Sequence, residues 1–548
     1  MSQFIEMNNN NNMDVFIEKF ISFNDVSVQN ERINSPFLSS ETKFGLLSLK
    51  VKSVPITTKV QDFVFTVDCS GSMSDLCSDL RSKMEHIVHT LKNIIYYFHE
   101  NSINTFITIY AFDDIIYNII ERTDITDENL EVLIHKVSKI RPRHSTDIEK
   151  ALKNAKEYIS TIKCSYPETN ISHIFMTDGD VTSGSNNSTV LLSNIDETVN
   201  NAFIGFGVAH NDKLLIDIST GNKSSYHFVD KLENSGFVYG EILHGILYNI
   251  LTNIELSIND GLIYDYNSNN WVNKIRIKDI SSESNKIYAL ITIAPELCYA
   301  ELNASLTNYK DDVGFNFVIT DKQKLSPQNL EIQIFRIRVL QLLFDVNLYH
   351  KTKNVHSDWF TAQSKILPKT VDENKEHKKN YKKLLNDLFD EIKKYMTGNG
   401  LTDDKTLKSL CDDIYISLKT FDKRYGGMYT CGRLVSQGSQ RCYTVSNTPN
   451  DVYEQNEDEP IVDCAQDTNM QKTMKMARGL LSLKPIRNRF NLNHHLSEFD
   501  DSPYLTPSAR QVMRSVSDQD SSNKTTSQNP VLLDDFYLSD DETNSSQK

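Results

Sequence analysis

The segment at residues 63–72, FVFTVDCSGS, joins a short apolar run to a polar turn. Its first five residues have the length and composition of a strand buried on both faces of a parallel sheet. The polar residues that follow lie at the carboxyl end of this strand, where open α/β sheets bind their ligands. The segment therefore predicts the first strand of an α/β domain and a ligand site at its end.

Apolar strand-like runs alternate with amphipathic helical patterns on the carboxyl side of this segment. The first helical pattern carries apolar residues at spacings of three and four from Leu80 to Phe98. Such alternation is typical of a doubly wound α/β domain with a mostly parallel sheet. We predict further strands at 105–112, 115–120, 171–177, 202–208 and 226–229, and a closing helix at 237–251.

The rest of the chain falls into three regions that differ in the spacing of their apolar residues. After the α/β domain the apolar residues recur with a period of two, which indicates antiparallel strands, and then with a helical period. The last part loses periodicity and gains Ser, Asn, Gln and Asp, a composition typical of disorder. The predicted boundaries are 1–45 (flexible N-terminus with an asparagine tract), 46–60 (flanking strand), 61–251 (α/β domain), 252–325 (β-rich accessory domain), 326–425 (helical region) and 426–548 (mostly disordered tail).

The overall composition excludes several classes of protein. The 548 residues carry a formal net charge of −15, which argues against nucleic acid as the main partner because such proteins need a basic face. No apolar window is long enough for a membrane span. The N-terminal sequence MSQFIEMNNNNN lacks the basic and apolar regions of a secretory signal. We expect a protein that is not secreted and that lies in the cytoplasm.

Oxygen-bearing side chains cluster in three predicted loops. Asp68, Ser70 and Ser72 form a DxSxS pattern, Thr146 opens a helix, and Asp178 follows the fourth predicted strand. One carboxylate and two hydroxyls at alternate positions of a tight turn can point at one spot, and an all-oxygen set favours a hard cation. We expect Mg²⁺, which Mn²⁺ or Ca²⁺ could replace. The alternative is a cluster of helix-capping residues, because Ser, Thr and Asp are common at helix starts.

These five residues resemble the metal-ion-dependent adhesion site of the von Willebrand factor type A (VWA) domain. The resemblance implies that Ser70, Ser72 and Thr146 contact the metal directly and that Asp68 and Asp178 often act through water. It also implies that ligation shifts the closing helix of the domain. The segments at 45–55 and 206–229, and the region near 425–444, resemble the subgroup of inter-alpha-trypsin inhibitor heavy chains and plant WAV3-like proteins, without a RING finger or the inhibitor family's N-terminal domain. A large DNA virus or a protist is the source we expect.

The sequence offers no nucleophile constellation and no phosphate-binding loop, so we do not expect an enzyme. We expect non-enzymatic, metal-dependent binding of a protein ligand that presents a carboxylate to the ion. Two alternatives stay open at this point. The chain could be an adaptor in a ubiquitin-ligase pathway that lacks its own RING, or a structural or virion-associated protein.

Overall fold

The computed structural model places an α/β domain, a β-sandwich and a helical layer along the chain. It describes residues 17–27, 33, 41–54, 59–77, 80–179, 181–208, 210–221, 223–231, 234–306, 313–354, 371–423, 425–443 and 502–517.

A six-stranded sheet forms the centre of the α/β domain, in the order β5-β4-β3-β6-β7-β8. Every neighbouring pair is parallel except β4 and β5, which are antiparallel. The sheet is thus mostly parallel, and its central strand β3 is buried along its whole length. Its strands are β3 (Gln61–Asp68), β4 (Thr105–Phe112), β5 (Ile116–Asp124), β6 (Asn170–Thr177), β7 (Asn200–Phe206) and β8 (Ser224–Val229).

Helices cover both faces of this sheet, as the alternating sequence pattern predicts. The first helix has a Ser82–Glu85 capping box and a buried stripe that includes Ile87, Leu91 and Ile94, so both its start and its orientation follow from the sequence. The helices are α1 (Lys83–Glu100), α2 (Leu130–Val137), α3 (Ile148–Ser165), α4 (Ser188–Ser193), α5 (Asp212–Ile218) and α6 (Ser235–Leu247).

Two further sheets pack face to face and form a β-sandwich. One has the order β11-β10-β14-β2-β1-β17 and the other has the order β12-β9-β15-β16, with β13 also paired to β9. The strands are β1 (Ile17–Ser27), β2 (Lys43–Val51), β9 (Asn249–Asn259), β10 (Leu262–Asp265), β11 (Asn270–Val272), β12 (Lys274–Ile277), β13 (Ile280–Ser281), β14 (Asn285–Thr292), β15 (Tyr299–Leu306), β16 (Val313–Ile319) and β17 (Lys322–Lys324).

The sandwich is built from two separate parts of the chain. β2 pairs antiparallel with β14, with Leu47 opposite Tyr288, so strands on both sides of the α/β domain share one sheet. The α/β domain is therefore inserted into the sandwich. The interior of the sandwich is formed by apolar residues of both of its sheets, among them Ile21, Leu49 and Leu256.

A helical layer packs against the sandwich sheet that contains β2. Phe44, Leu46 and Trp271 of that sheet share one core with the long helices. The helices are α7 (Pro327–Asn354), α8 (Val371–Gly398), α9 (Lys405–Thr420) and α10 (Gly426–Ser439). The predicted order of α/β domain, antiparallel β region and helical region is thus confirmed.

Two parts of the predicted organisation are corrected by the structure. The N-terminal segment 1–45, which we expected to be flexible, contains β1, because its apolar residues Ile17 and Ile21 are buried in the sandwich. The segment 426–548, which we expected to be mostly disordered, contains α10 and α11 (Pro507–Ser517). α11 folds there because Ala509, Val512, Met513 and Val516 form a buried stripe.

The closing helix of the α/β domain also differs from its predicted span of 237–251. α6 ends at Leu247, and the chain passes at Asn249 into β9 of the sandwich. Within the part of the chain that the structure describes, no helix combines the length and the apolar character of a membrane span.

Candidate functional site

Asp68 ends β3 with its side chain fully buried. Its carboxylate accepts hydrogen bonds from the Ser70 backbone N–H at 2.8 Å and from the Thr177 hydroxyl at 2.5 Å. Burial, assisted by the negative charge of Asp178, raises the pKa of Asp68 to about 6 despite these hydrogen bonds. A nearby cation would therefore stabilise the ionised form of this carboxylate.

The turn after β3 brings two hydroxyls together. Ser70 Oγ lies 3.1 Å from Ser72 Oγ, at the start of a single 3₁₀ turn over Gly71–Ser74. The Gly71 backbone N–H donates to the His144 carbonyl, and a Cβ at Gly71 would lie 3.2 Å from the Arg143 carbonyl oxygen. Glycine thus lets this turn approach the backbone of the loop before α3.

Thr146 lies in that second loop, immediately before the N-cap of α3. It is buried, and its backbone N–H donates to the Thr182 hydroxyl at 2.7 Å. Its carbonyl accepts from the backbone N–H groups of Thr182 and Ser183. Asp147 caps the helix by accepting from the Lys150 N–H at 2.9 Å. Hydrogen bonds at both the N–H and the carbonyl therefore hold the backbone of Thr146 in place, and this positions its side chain.

Asp178 follows β6 and is also buried. One of its carboxylate oxygens accepts from Ser72 Oγ at 2.7 Å, and the other lies 2.5 Å from Lys83 Nζ. The Lys83 ammonium also lies 3.3 Å from Asp75. Of the two buried carboxylates of the site, Asp178 is thus paired with the buried Lys83 ammonium.

The three loops meet at Gly179. A Cβ at this position would lie 3.7 Å from Ser72 Oγ and 3.8 Å from Thr146 Oγ1. Together with the hydrogen bond between Ser72 and Asp178, this contact shows that the structure brings all five predicted residues to one edge of the sheet. The helix-capping alternative does not account for them, since the cap of α3 is Asp147 and the cap of α1 is Ser82.

The residues present fit a hard divalent cation. Two oxygen ligands at right angles around Mg²⁺ are about 3.0 Å apart, since each lies about 2.1 Å from the ion. The Ser70 and Ser72 hydroxyls, at 3.1 Å, have this separation. Among the described residues, no group of three or more His, Cys, Asp and Glu side chains could hold a metal ion. Any ion at this edge would therefore depend on the serine and threonine hydroxyls.

Two functional neighbours of the site escaped the sequence analysis. Thr177 donates to Asp68, and Lys83 pairs with Asp178. The sequence did carry a signal for Lys83, because a lysine at the first position of a helix opposes the helix dipole unless an acid compensates it. Thr177 is an ordinary strand residue and gave no such signal.

The acidic residues on the rim of the site form local hydrogen bonds outside the cluster of five residues. Asp113 is buried, but its carboxylate is used locally by the Ile115 N–H at 2.6 Å and by the Tyr117 hydroxyl at 3.2 Å. Asp114 lies beside it and accepts from Lys150 through its backbone carbonyl. Asp180 lies outside the described residues.

A family comparison covers this region of the chain. Residues 62–239 match the family model "von Willebrand factor type A domain". These residues form a VWA domain. Apart from Gln61, the match spans the six strands of the central sheet, and it includes all the predicted site residues. VWA domains are generally non-enzymatic modules that commonly mediate protein–protein interaction.

Solved structures with VWA domains are similar to this chain at low identity. A von Willebrand factor type A protein from Catenulispora acidiphila is 11% identical, with 72% of this chain and 89% of that chain covered and a TM-score of 0.44. The ArnB paralog VWA2 from Sulfolobus acidocaldarius is 12% identical, with 78% and 100% covered and a TM-score of 0.43. Proximal thread matrix protein 1 from the mussel byssus, with a zinc-occupied MIDAS motif, is 19% identical, with 33% and 46% covered and a TM-score of 0.28.

A search of curated protein sequences gives no match. The VWA domain is thus confirmed for residues 62–239. The resemblance to inter-alpha-trypsin inhibitor heavy chains and plant WAV3-like proteins is not supported by the matched proteins, and neither is a viral or protist origin.

Proposed function

We propose that this chain is a non-enzymatic protein-binding module whose VWA domain holds a divalent metal ion at Asp68, Ser70, Ser72, Thr146 and Asp178. The ion contacts a carboxylate of the protein partner. The observation that carries this proposal is the convergence of three loops, which places three hydroxyl side chains and two buried carboxylates at one edge of the sheet.

The charge of the site favours a further anionic ligand on the bound ion, in addition to the ligands that this chain supplies. The two buried carboxylates and the Lys83 ammonium leave one negative charge beside the hydroxyls, and Asp75, which also contacts Lys83, is exposed to solvent that screens its charge. A divalent cation bound there keeps an excess positive charge, so a further anionic ligand is favourable. A carboxylate of a partner protein supplies that charge.

Exposed apolar side chains in the loop next to the site favour a protein-binding surface there. Leu76 and Leu80 lie between the DxSxS turn and α1 with 65% and 74% of their surface exposed. Leu80 has a φ of +70°, a conformation that is costly for a residue with a branched side chain. An exposed leucine alone is ordinary, but two beside the hydroxyl cluster provide apolar contact area around a bound carboxylate.

Magnesium is the ion we propose, because hydroxyl and carboxylate oxygens are hard ligands. Mn²⁺ and Ca²⁺ have the same preference for oxygen. The mussel byssus protein with a zinc-occupied MIDAS motif makes Zn²⁺ a fourth ion to test. We expect Mg²⁺ and Mn²⁺ to bind more tightly than Ca²⁺, whose larger shell needs six to eight oxygens.

Calorimetric titration of the full chain with each ion tests the metal site. Asp68→Asn should abolish Mg²⁺ binding, because it removes one of the two buried negative charges with little change of shape. Asp62→Asn is the matched control, since Asp62 is an equally buried carboxylate at the other end of β3, paired with Arg122 at 2.9 Å. Undiminished Mg²⁺ affinity in Asp68→Asn would refute the assignment.

A pull-down with the full chain tests the binding function. Captured proteins should be released by a chelator and restored by Mg²⁺, and Asp68→Asn should capture none of them. Partners that remain bound to Asp68→Asn in chelator would show that binding does not need the ion.

A further inference from the structure

A second polar site lies beside α6, where the VWA domain meets the sandwich and the segment before α11. It is a cavity of about 210 Å³, lined by parts of β7, β8, α6, the β12–β14 region and residues 439–442. None of the five residues of the proposed metal site lines it. Its charged side chains are Lys223, Lys278, Lys286, Arg441, Glu241 and Asp279.

The four basic side chains of this cavity donate to neutral groups. Lys278 Nζ donates to the Ser224 carbonyl at 2.6 Å, and Lys223 Nζ donates to the Thr198 carbonyl. Lys286 Nζ donates to two carbonyls at the end of α10, and Arg441 donates to the Tyr226 carbonyl at 2.8 Å. Among the described residues, none of the four forms an ion pair with a carboxylate.

The two carboxylates do not neutralise this charge. One oxygen of Glu241 accepts from the backbone N–H of Cys442 at 2.6 Å and of Tyr443 at 3.2 Å, and burial raises its pKa. Burial also raises the pKa of Asp279 to about 6. Four basic side chains thus face at most two anions, which leaves a surplus of two positive charges along the cavity wall.

Burial and neighbouring cations lower the pKa of two of the basic groups. Burial, with the nearby charge of Arg441, lowers the pKa of Lys278 to about 7. Burial also lowers the pKa of Lys286 to about 8, with Arg336 and Arg441 contributing. The charged form of a lysine that lies close to other cations is stabilised when an anion binds beside it.

A donor without a partner also faces the cavity. Ser224 is buried, lines the cavity, and its hydroxyl has no hydrogen-bond partner in the described structure. A buried hydroxyl of this kind is rare because it costs free energy until a ligand or a water binds it.

We propose that this cavity binds a small anion that carries a phosphate group. A phosphate dianion matches the surplus of two positive charges, and its oxygens accept the charge-assisted hydrogen bonds that lysine, arginine and the Ser224 hydroxyl can donate. The volume is below the roughly 300–1,000 Å³ of pockets for drug-sized ligands, which favours free phosphate or a short phosphomonoester.

The bound anion would also strengthen the attachment of the segment that leads to α11. Tyr504 and Thr506 of this segment form part of the cavity wall. Because a ligand stabilises the state that binds it, the amides of residues 502–517 should exchange more slowly when the cavity is filled.

Thermal unfolding of the full chain at constant ionic strength tests the proposal. Inorganic phosphate and glycerol phosphate should raise the Tm in a saturable way, and chloride and acetate should not. The tighter of the two phosphates identifies the source, free phosphate or phosphomonoester. The effect should persist in chelator and in Asp68→Asn, which separates it from the proposed metal site. A phosphate effect equal to that of chloride would overturn the proposal.

Two substitutions localise the effect. Lys278→Met should weaken phosphate binding at least about tenfold, the cost of losing one charge-assisted hydrogen bond. Lys139→Met, an exposed lysine of the VWA domain outside the cavity, should change nothing. Asn200→Asp adds a negative charge to the cavity wall with little change of shape. It should raise the Tm without phosphate and weaken phosphate binding, and unchanged phosphate binding in both cavity variants would overturn the assignment.

Discussion

The contact between α6 and α11 supports a quantitative prediction for Gly240→Ala. A Cβ at Gly240 would lie 2.5 Å from Met513 Cα and 2.9 Å from Met513 N, both backbone atoms of α11. Ordinary carbon contacts are about 3.5–4.0 Å, so α11 must move away by about 1 Å. A gap of that size removes a quarter to a half of the dispersion energy of the contacts it opens, among them those of Val512 and Val516.

The expected magnitude follows from two opposing terms. Overpacking costs roughly 1–3 kcal/mol, and replacing a helical glycine by alanine gains about 1 kcal/mol. The net cost is therefore about 0–2 kcal/mol, so the docking of α11 should weaken by up to roughly 30-fold in equilibrium. Hydrogen exchange of the amides of residues 507–517 in the full chain measures this change, since local opening of α11 exposes them.

Gly245→Ala is the matched control for this experiment. Gly245 lies in the same helix, and a Cβ there would meet no atom within 4 Å. This variant should keep the helix-propensity gain of about 1 kcal/mol and leave exchange in α11 unchanged or slower. The reasoning is refuted if both variants give the same exchange rates at 507–517, because the two differ in their contact with α11.

Three further predictions concern buried charges. Lys83→Met should raise Mg²⁺ affinity roughly tenfold by calorimetry, because it removes the cation beside Asp178; unchanged affinity would contradict this. Burial lowers the pKa of His173 to about 4 from 6.5. The unfolded chain then binds the extra proton as pH falls from 6.5 to 4, so stability is lost in that window, and His173→Gln should show a smaller Tm drop between pH 7 and 5. Arg433→Met should cost about 3–5 kcal/mol in urea unfolding, because it leaves Asp413 buried without the guanidinium at 3.2 Å; a cost below 1 kcal/mol would contradict this.

The VWA domain could be predicted from the sequence because its signals are local. The apolar run of β3 and the DxSxS turn lie within ten residues, and the capping pattern of α1 follows directly. The remaining site residues, Thr146 and Asp178, are placed by the rule that parallel strands end at one edge of the sheet. This prediction did not depend on knowing which strands distant in the sequence pair with each other.

The sandwich could be predicted only in part. The alternation of apolar and polar residues in β2 indicates a strand, but it does not show that both faces of β2 are buried or which strands pair with it. Its partners are β1 and β14, and β14 lies more than 230 residues away in the sequence. Strand pairing over such a distance depends on the whole domain, so the insertion of the VWA domain was invisible in the sequence.

The two helices in the predicted tail were missed for different reasons. α10 contains Gly427, Gly432 and Gly438, which disfavour a helix, and tertiary contacts such as the Arg433–Asp413 ion pair hold it in place. α11 does carry an apolar stripe, but it is eleven residues long and too short to be stable alone. Its partner surface is the Gly236–Gly240 pair of α6, which allows close backbone contact.

The position of α6 bears on how the proposed metal site could affect the rest of the chain. α1 begins at Lys83, which pairs with Asp178, and further along α1 the Thr90 hydroxyl lies 2.9 Å from that of Ser235 at the start of α6. α1 also contacts α11, because Asn93 Nδ2 donates to the Val516 carbonyl at 2.9 Å. A shift of α6 on ligation, which remains a prediction, would therefore have to carry α11 with it or break this packing. Since α6 passes directly into β9, the same shift would strain the sandwich. The packing energy between α6 and α11 and the strain at the connection to β9 together set how far α6 can move.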